Sequence, residues 1–227
     1  MILSLETSTS VCSMALHQEG LCLAEQIYNL PKSHATLMPE VIRQLLDNLN
    51  VQRSALEAIA ISDGPGSYTG LRIGSATGKG LCSALEIPLI SVNSLDIMIE
   101  EMRPIVSDIS YIAPMIDARR MEVYMKLVNE KGSELKDTRA VILTPDLFDN
   151  YIEYPILLVG DGARKCEGFI DHPHLKIVPD IYPRAQCMGI LAFQKFKERS
   201  FENLQDFEPN YLKEFHTMPS KNPLGNL

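Results

Sequence analysis

The sequence predicts an α/β protein, with mixed sheets and helices on their faces. Three observations carry that prediction. At the N-terminus, "ILSLET", "VCSMALHQ" and "LCLAEQIYN" are strand-like runs separated by short polar or glycine-containing breaks, which reads as an antiparallel meander. Further on, "AIAIS" leads through "DGPGSYTG" into a helical pattern and then "PLISV", a strand–helix–strand unit. After the more polar stretch "MRPIVSDIS" the alternation of strand and helix resumes, so a second sheet is expected.

The elements follow in order. "SHATLMPEVIRQLLDNLN" switches to helical period: Leu37, Val41, Leu45 and Leu49 share one face, with Met38, Ile42 and Leu46 beside them. Ser33 is the expected N-cap, and Pro39 predicts a kink or a late start. A second helix is expected over 70–85 and a third over Ser94–Arg103. In the second half, "YIAPMID" and "MEVYMKLVN" read as a hairpin turning at Ala118–Arg120, and "TRAVILT" as a further strand. "PILLVGDGARKC" reads as strand, glycine turn and helix start. "YPRAQCMGILAFQKFKERS" is an amphipathic helix with basic residues at its C-terminal end, where the helix dipole favours them. The tail "PNYLKEFHTMPSKNPLGNL" loses periodicity and is expected to be extended or frayed. The expected organisation is an N-terminal subdomain over 1–103, a smaller C-terminal one over 104–205, and a tail over 206–227.

Composition narrows the functional classes. The chain has 227 residues, 45% hydrophobic and 22% charged, an ordinary soluble composition. At this length roughly 70% of the unfolded surface can be buried, so no disulfide or metal staples are needed. A net charge of -8 argues against gripping nucleic acid unaided, because that affinity comes mostly from Lys and Arg neutralising phosphate. The 5 cysteines form no C-x-x-C pair and read as reduced thiols of a cytoplasmic protein. "MILSLETSTS" lacks the basic segment of a signal peptide, and no apolar run approaches the ~18 residues of a membrane span.

The glycine loop is the most distinctive motif. A strand, a glycine turn and a helix often bind phosphate through backbone amides. Here Gly74 to Lys79 is one residue short of the G-x-x-x-x-G-K-[ST] loop, and Gly80 stands where the hydroxyl belongs. Gly64, Gly66 and Gly70 give G-x-G-x-x-x-G, which misses the dinucleotide spacing. The alternatives are a weak anion site, with Glu6, Thr7, Gly64, Gly66 and Ser67 as its candidates, or a tight strand-to-helix connection. Glu6, at the first strand end, either faces a nucleotide phosphate or merely caps the strand. Two small-residue rows line the following helix: Gly70, Gly74 and Gly78, and Ala76, Gly80 and Ala84. Glycine costs about 1 kcal/mol per helical site, so close approach on two sides is expected, one to the chain's own sheet and the other either to more of this chain or to a second chain. Leu37, Met38, Val41, Ile42 and Leu45, with Gly70, Gly74 and Gly78, are the candidate partner interface. No catalytic set and no metal set emerges. His34 has Met38 where H-x-x-x-H would place a second ligand. His172 and His174 read as a solvated turn, and Asp117 with Arg119 as a hairpin-end ion pair.

Taken together, "ILSLETSTSVCSMAL", "SHATLMPEV", "SDGPGSYTGLRIGSATGKGL", "PMIDARRMEVYMKLV" and "NYLKEFH" make the chain similar to the TsaB (YeaZ) group of the TsaD–TsaB family, in order and over nearly its whole length. An older label for the group is glycoprotease, peptidase family M22. The resemblance implies a duplicated actin-like ATPase fold (ASKHA, ribonuclease H-like) with two mixed-sheet subdomains. It implies a non-catalytic accessory subunit that forms a heterodimer with TsaD, is joined by TsaE, and meets tRNA only through the complex. Alone, the chain would form a homodimer. ATP and metal would belong to TsaD and TsaE, with no cofactor on this chain. The rival readings are an actin-like phosphotransferase using Glu6 and the glycine loop, or an M22-type metallopeptidase, which the missing second histidine argues against.

Overall fold

The computed structural model describes residues 1–29, 34–106 and 108–213. Its first sheet is the expected meander followed by the crossover unit. β1 (Ile2–Glu6), β2 (Cys12–Gln18) and β3 (Leu21–Tyr28) are antiparallel. After α1 (His34–Asn48), β4 (Ala58–Gly64) pairs parallel with β1. After α2 (Tyr68–Leu85), β5 (Leu89–Asn93) pairs parallel with β4. The order is β3-β2-β1-β4-β5.

The second sheet repeats the plan. Following α3 (Ser94–Met102) come β6 (Tyr111–Asp117), β7 (Glu122–Asn129) and β8 (Glu134–Ile142), then β9 (Ile156–Val159) and β10 (Leu175–Val178). Its order, β10-β9-β6-β7-β8, is the first sheet's order with each strand replaced by its counterpart. This is the duplicated, ribonuclease H-like unit of the actin-like ATPase fold. β10 carries only "LKIV" and went unseen in the sequence, since so short a run has no readable period.

Each strand's alternation sends side chains to two cores. On the first sheet, Leu3, Leu5, Met14, Leu16, Ile59 and Ile61 pack beneath α1. Ile2, Ala58, Ala60, Ile90 and Val92 face the other side, against Met188 and Ala192 of α4 (Ala185–Lys197). α4 therefore covers the first sheet, although its sequence position placed it in the C-terminal subdomain. α3 makes the reciprocal crossing: Leu95, Met98, Ile99 and Met102 pack with Ile112, Ile116, Val128 and Leu157 of the second sheet. The buried Lys126 of β7 reinforces that crossing with ion pairs to Asp96 of α3 at 2.7 Å and to Glu134 of β8 at 3.1 Å. A boundary drawn in the chain at 103/104 thus does not separate the packing units. Sequence order cannot reveal which sheet a helix will cover.

Among the described residues the second half lacks α-helical counterparts of α1 and α2. The helix start expected at "VGDGARKC" is a single 3-10 segment, Asp161–Cys166. Gly160 and Gly162 allow it to lie on β6. A Cβ at Gly160 would stand 2.2 Å from the Met115 carbonyl oxygen, and one at Gly162 would stand 2.9 Å from the Ile116 carbonyl carbon. Residues 209–213 carry no helix or strand, in keeping with the extended alternative expected of the tail, and Leu204 and Phe207 just before them pack against the first core. α1 runs through Pro39, and Ser33 lies outside the described residues.

Candidate functional site

The motif that reads as a phosphate cradle is closed by the chain itself. β4 ends at Gly64, with φ at 112°, before a cis Gly64–Pro65 bond. Ser67 caps α2, its Oγ accepting from the Gly70 N–H at 3.3 Å. The β1–β2 turn then fills the space in front of that helix end. The Ser67 N–H donates to the Ser8 carbonyl oxygen at 2.6 Å, and Thr7 Oγ1 donates to the Gly70 carbonyl oxygen at 2.8 Å. A Cβ at Gly66 would sit 2.2 Å from Ser8 O; at Gly70, 2.0 Å from Thr7 O; at Gly74, 2.4 Å from Thr7 Oγ1. The glycines are needed for this contact, not for a ligand. The carbonyl oxygens of Thr7 and Ser8 present partial negative charge where an anion would have to bind. Of the two alternatives, this packing supports the tight strand-to-helix connection over an anion site at Thr7, Gly64, Gly66 and Ser67.

Glu6 lies behind the turn, fully buried. Its Oε1 accepts from the Ser8 N–H at 2.6 Å, while Oε2 and the Ser8 hydroxyl have no partner of ordinary geometry among the described residues. Burial pushes the Glu6 carboxyl up to about 7, and hydrogen bonding from Ser8 and Ser62 offsets this only in part. Asp63, on the neighbouring strand, is likewise raised to about 6 by burial. Such a carboxyl sits inside the core and presents no face to a nucleotide. Two shallow surface cavities, about 470 and 600 Å³, lie elsewhere, one beside Arg43 and Arg53, the other beside Gly20 and Ile190.

The candidate interface residues also turn inward. Met38, Val41, Ile42 and Leu45 are buried in the first core, and Leu37 packs against it. Gly70 and Gly74 face Thr7, while a Cβ at Gly78 would stand 2.7 Å from Ile61 Cγ2. Met38, Val41, Ile42, Leu45 and the three glycines are buried in the folded chain, and Leu37 is partly exposed. The side of α2 that remains open is the other small row. Ala76, Gly80 and Ala84 are exposed, and a Cβ at Gly80 would meet nothing within 4 Å. On α1 the outward face is polar. Arg43 pairs with Glu40 and with Asp47, both at 2.6 Å and exposed.

The histidines resolve differently. Met38, at the second position of H-x-x-x-H, is a core residue; the His34 side chain lies outside the described residues. His172 Nδ1 accepts from the His174 N–H at 3.2 Å, so Nε2 carries the proton and donates to the Tyr151 carbonyl oxygen, also at 3.2 Å. Both ring nitrogens of His172 are thus occupied by the backbone and that ring is buried, while His174 stays exposed, as expected of a solvated turn. Asp117 accepts from the Arg119 backbone N–H at 2.5 Å, but its ion partner is Lys165 at 2.6 Å rather than the Arg119 side chain. Among the described residues, no group of three or more His, Cys, Asp or Glu is arranged to hold a metal ion.

His17 escaped the sequence reading. It is buried on β2, with Nδ1 3.2 Å from Ser4 Oγ and Nε2 3.2 Å from the Gln186 carbonyl oxygen. The available signal was Gly189 in the middle of α4, where a Cβ would stand 2.0 Å from His17 Cδ2. Gly189→Ala is expected to lower stability by about 1–3 kcal/mol despite alanine's better helix propensity, as urea unfolding would measure.

The chain thus has an actin-like fold whose glycine loop packs on its own first turn and whose second helix keeps one open small-residue face. The comparisons place it further. Residues 23–220 match the family model described as "TsaD: tRNA N6-adenosine threonylcarbamoyltransferase". The chain is 36% identical to the tRNA threonylcarbamoyladenosine biosynthesis protein TsaB of Bacillus subtilis, covering 93% of each. It is 33% identical to the TsaB of Haemophilus influenzae, again over 93% of each. The solved YeaZ structure from Pseudomonas aeruginosa superposes with a TM-score of 0.79 at 29% identity, over 93% of this chain and 99% of that one. The chain belongs to the TsaD–TsaB family, on its TsaB side. Among the described residues no helix is long and apolar enough to cross a membrane.

Proposed function

We propose that this chain is the non-catalytic partner subunit in the formation of N6-threonylcarbamoyladenosine in tRNAs that read codons beginning with A. It docks on and supports a TsaD-type transferase in the cytoplasm, and a TsaE-type ATPase joins the pair. ATP and metal belong to those partners, and tRNA meets the complex mainly on their surfaces, in keeping with a net charge of -8 here. The observation that carries the reading is the division of α2 into two faces. Gly70 and Gly74 pack on Thr7, which supports a loop kept for internal packing, while the Ala76, Gly80 and Ala84 row is open for a second helix to approach closely. The docking face is therefore this outer row with the polar side of α1, and not the buried stripe read from periodicity.

Light scattering behind size exclusion tests the reading, with the chain alone and mixed with the TsaD-type protein of the same organism. A homodimer that converts to a 1:1 heterodimer is expected, whereas no complex at micromolar concentration overturns the proposal. Gly80→Arg is expected to weaken both assemblies at least tenfold. Because nothing within 4 Å of that position opposes a side chain, its melting temperature should match or slightly exceed that of the parent chain. Wild-type affinity in this variant would move the interface off α2.

A further inference from the structure

The segment that follows α4 does more than cover the core. After α4, Glu202 bridges to β5, its N–H donating to the Leu89 carbonyl oxygen at 2.9 Å. Leu204 and Phe207 anchor the segment in the first core, and the Phe207 carbonyl oxygen accepts from Lys79 Nζ of α2 at 3.2 Å. The Asn210 N–H then donates to the Asp63 carbonyl oxygen at 2.7 Å. At that point the strap passes so close that a Cβ on Gly64 would stand 2.9 Å from Asn210 O. Tyr211 packs against Tyr68 in the first turn of α2, the rings tilted by 41° with centroids 4.7 Å apart, and the Arg72 guanidinium lies 4.6 Å from the Tyr68 ring centre. The strap ends on the other half of the molecule. Leu212 packs against the second core, and Lys213 Nζ donates to the Ala118 carbonyl oxygen at 3.0 Å and pairs with Glu122 at the β6–β7 turn.

We propose that residues 203–213 form a latch that couples the conformation of the Asp63–Gly64 turn and the start of α2 to the second half of the molecule. The two ends are unequal in a way that suits this role. At the α2 end the segment is held by buried aromatic and aliphatic side chains and by a backbone hydrogen bond. Among the described residues the far end is held by Leu212 and by the Lys213 ammonium, whose ion pair with Glu122 is only partly buried and so contributes modestly. The tip releases before the root. When it does, the turn loses its Asn210 partner and Tyr68 the Tyr211 ring, on the same helix that carries the open row.

Hydrogen–deuterium exchange on the full chain, without any partner, tests this. Lys213→Ala is expected to speed exchange about tenfold in peptides covering 203–213 and in those covering 63–72, with β2 and β3 unchanged. Faster exchange in the strap with none at 63–72 overturns the proposal, because the strap would then be a passive covering. Should Lys213→Ala leave both regions unchanged, the Leu212→Ala/Lys213→Ala double variant removes the whole tip, and unchanged exchange there also overturns it. The measurement is made on the isolated chain, so a failure of TsaD-type docking would not affect its reading.

Discussion

Gly70→Ala is expected to destabilise the folded chain by about 3 kcal/mol or more. A methyl group there would stand 2.0 Å from the Thr7 carbonyl oxygen, so backbone must move, not a flexible side-chain tip. That oxygen cannot retreat freely: Thr7 Oγ1 is bonded to the Gly70 carbonyl, and the next carbonyl, of Ser8, receives the Ser67 N–H. Overpacking typically costs about 1–3 kcal/mol, and a clash between two constrained backbone segments belongs at or above the top of that range. Gly80→Ala, ten residues further along the same helix, meets nothing within 4 Å and should stabilise by up to about 1 kcal/mol. Urea unfolding of the two variants separates the faces of α2. A Gly70→Ala protein within about 1 kcal/mol of the parent would mean that the turn opens readily, and a phosphate-binding loop would again be tenable. For the same reason Gly74→Leu is a poor probe of docking, since it pushes into Thr7 before it reaches any partner.

Glu6→Gln is expected to remove a pH dependence from stability. The folded carboxyl is raised from 4.5 to about 7, chiefly by burial. Below pH 4.5 both folded and unfolded chains hold the proton, and the group costs nothing. As the pH climbs from 4.5 to about 7 the unfolded chain releases its proton while the folded chain keeps it, so stability falls. Above about 7 both are ionised and the full penalty applies, on the order of 3 kcal/mol at 1.36 kcal/mol per pKa unit. The glutamine variant should match the parent near pH 4 and exceed it near pH 8. Subtracting the two pH profiles isolates Glu6 from Asp63, which is raised in the same sense, and from His17, which burial lowers and which loses its contribution at acid pH. A difference that stays flat with pH would place Glu6 in contact with solvent and the turn ajar.

How much of this was legible beforehand differs element by element. The meander, α1, β4, α2 and the β6–β7 hairpin all carry strong periodicity or turn residues within a single window, and the sequence alone located them. The motif string from Asp63 to Gly80 also sufficed to identify the family resemblance. Four glycines within 70–80 announced a close approach on α2, and the existence of two small rows could be read directly from the four-residue spacing. Which row meets the chain's own sheet could not. That depends on the rotation of α2 about its axis, set by where Leu71 and Cys82 enter the core and by the β1–β2 turn returning to the helix end from some sixty positions away in sequence.

The same limit explains the misplaced interface. The apolar stripe of α1 says that this face is covered, but periodicity is identical whether the cover is the chain's own sheet or another molecule. Burial of Met38, Val41, Ile42 and Leu45 against β1, β2 and β4 answers that only in three dimensions. The sequence by itself determined the strand and helix inventory of the first half and the presence of a tight glycine contact. These follow from local side-chain pattern and backbone freedom. The tertiary structure decided that Thr7 and Ser8 fill the loop, that α3 and α4 exchange sheets, that Glu6 is sealed in, and that the tail crosses from α2 to the second half. Each of these joins residues remote in sequence, and it is chain-wide packing, not any local preference, that brings them together.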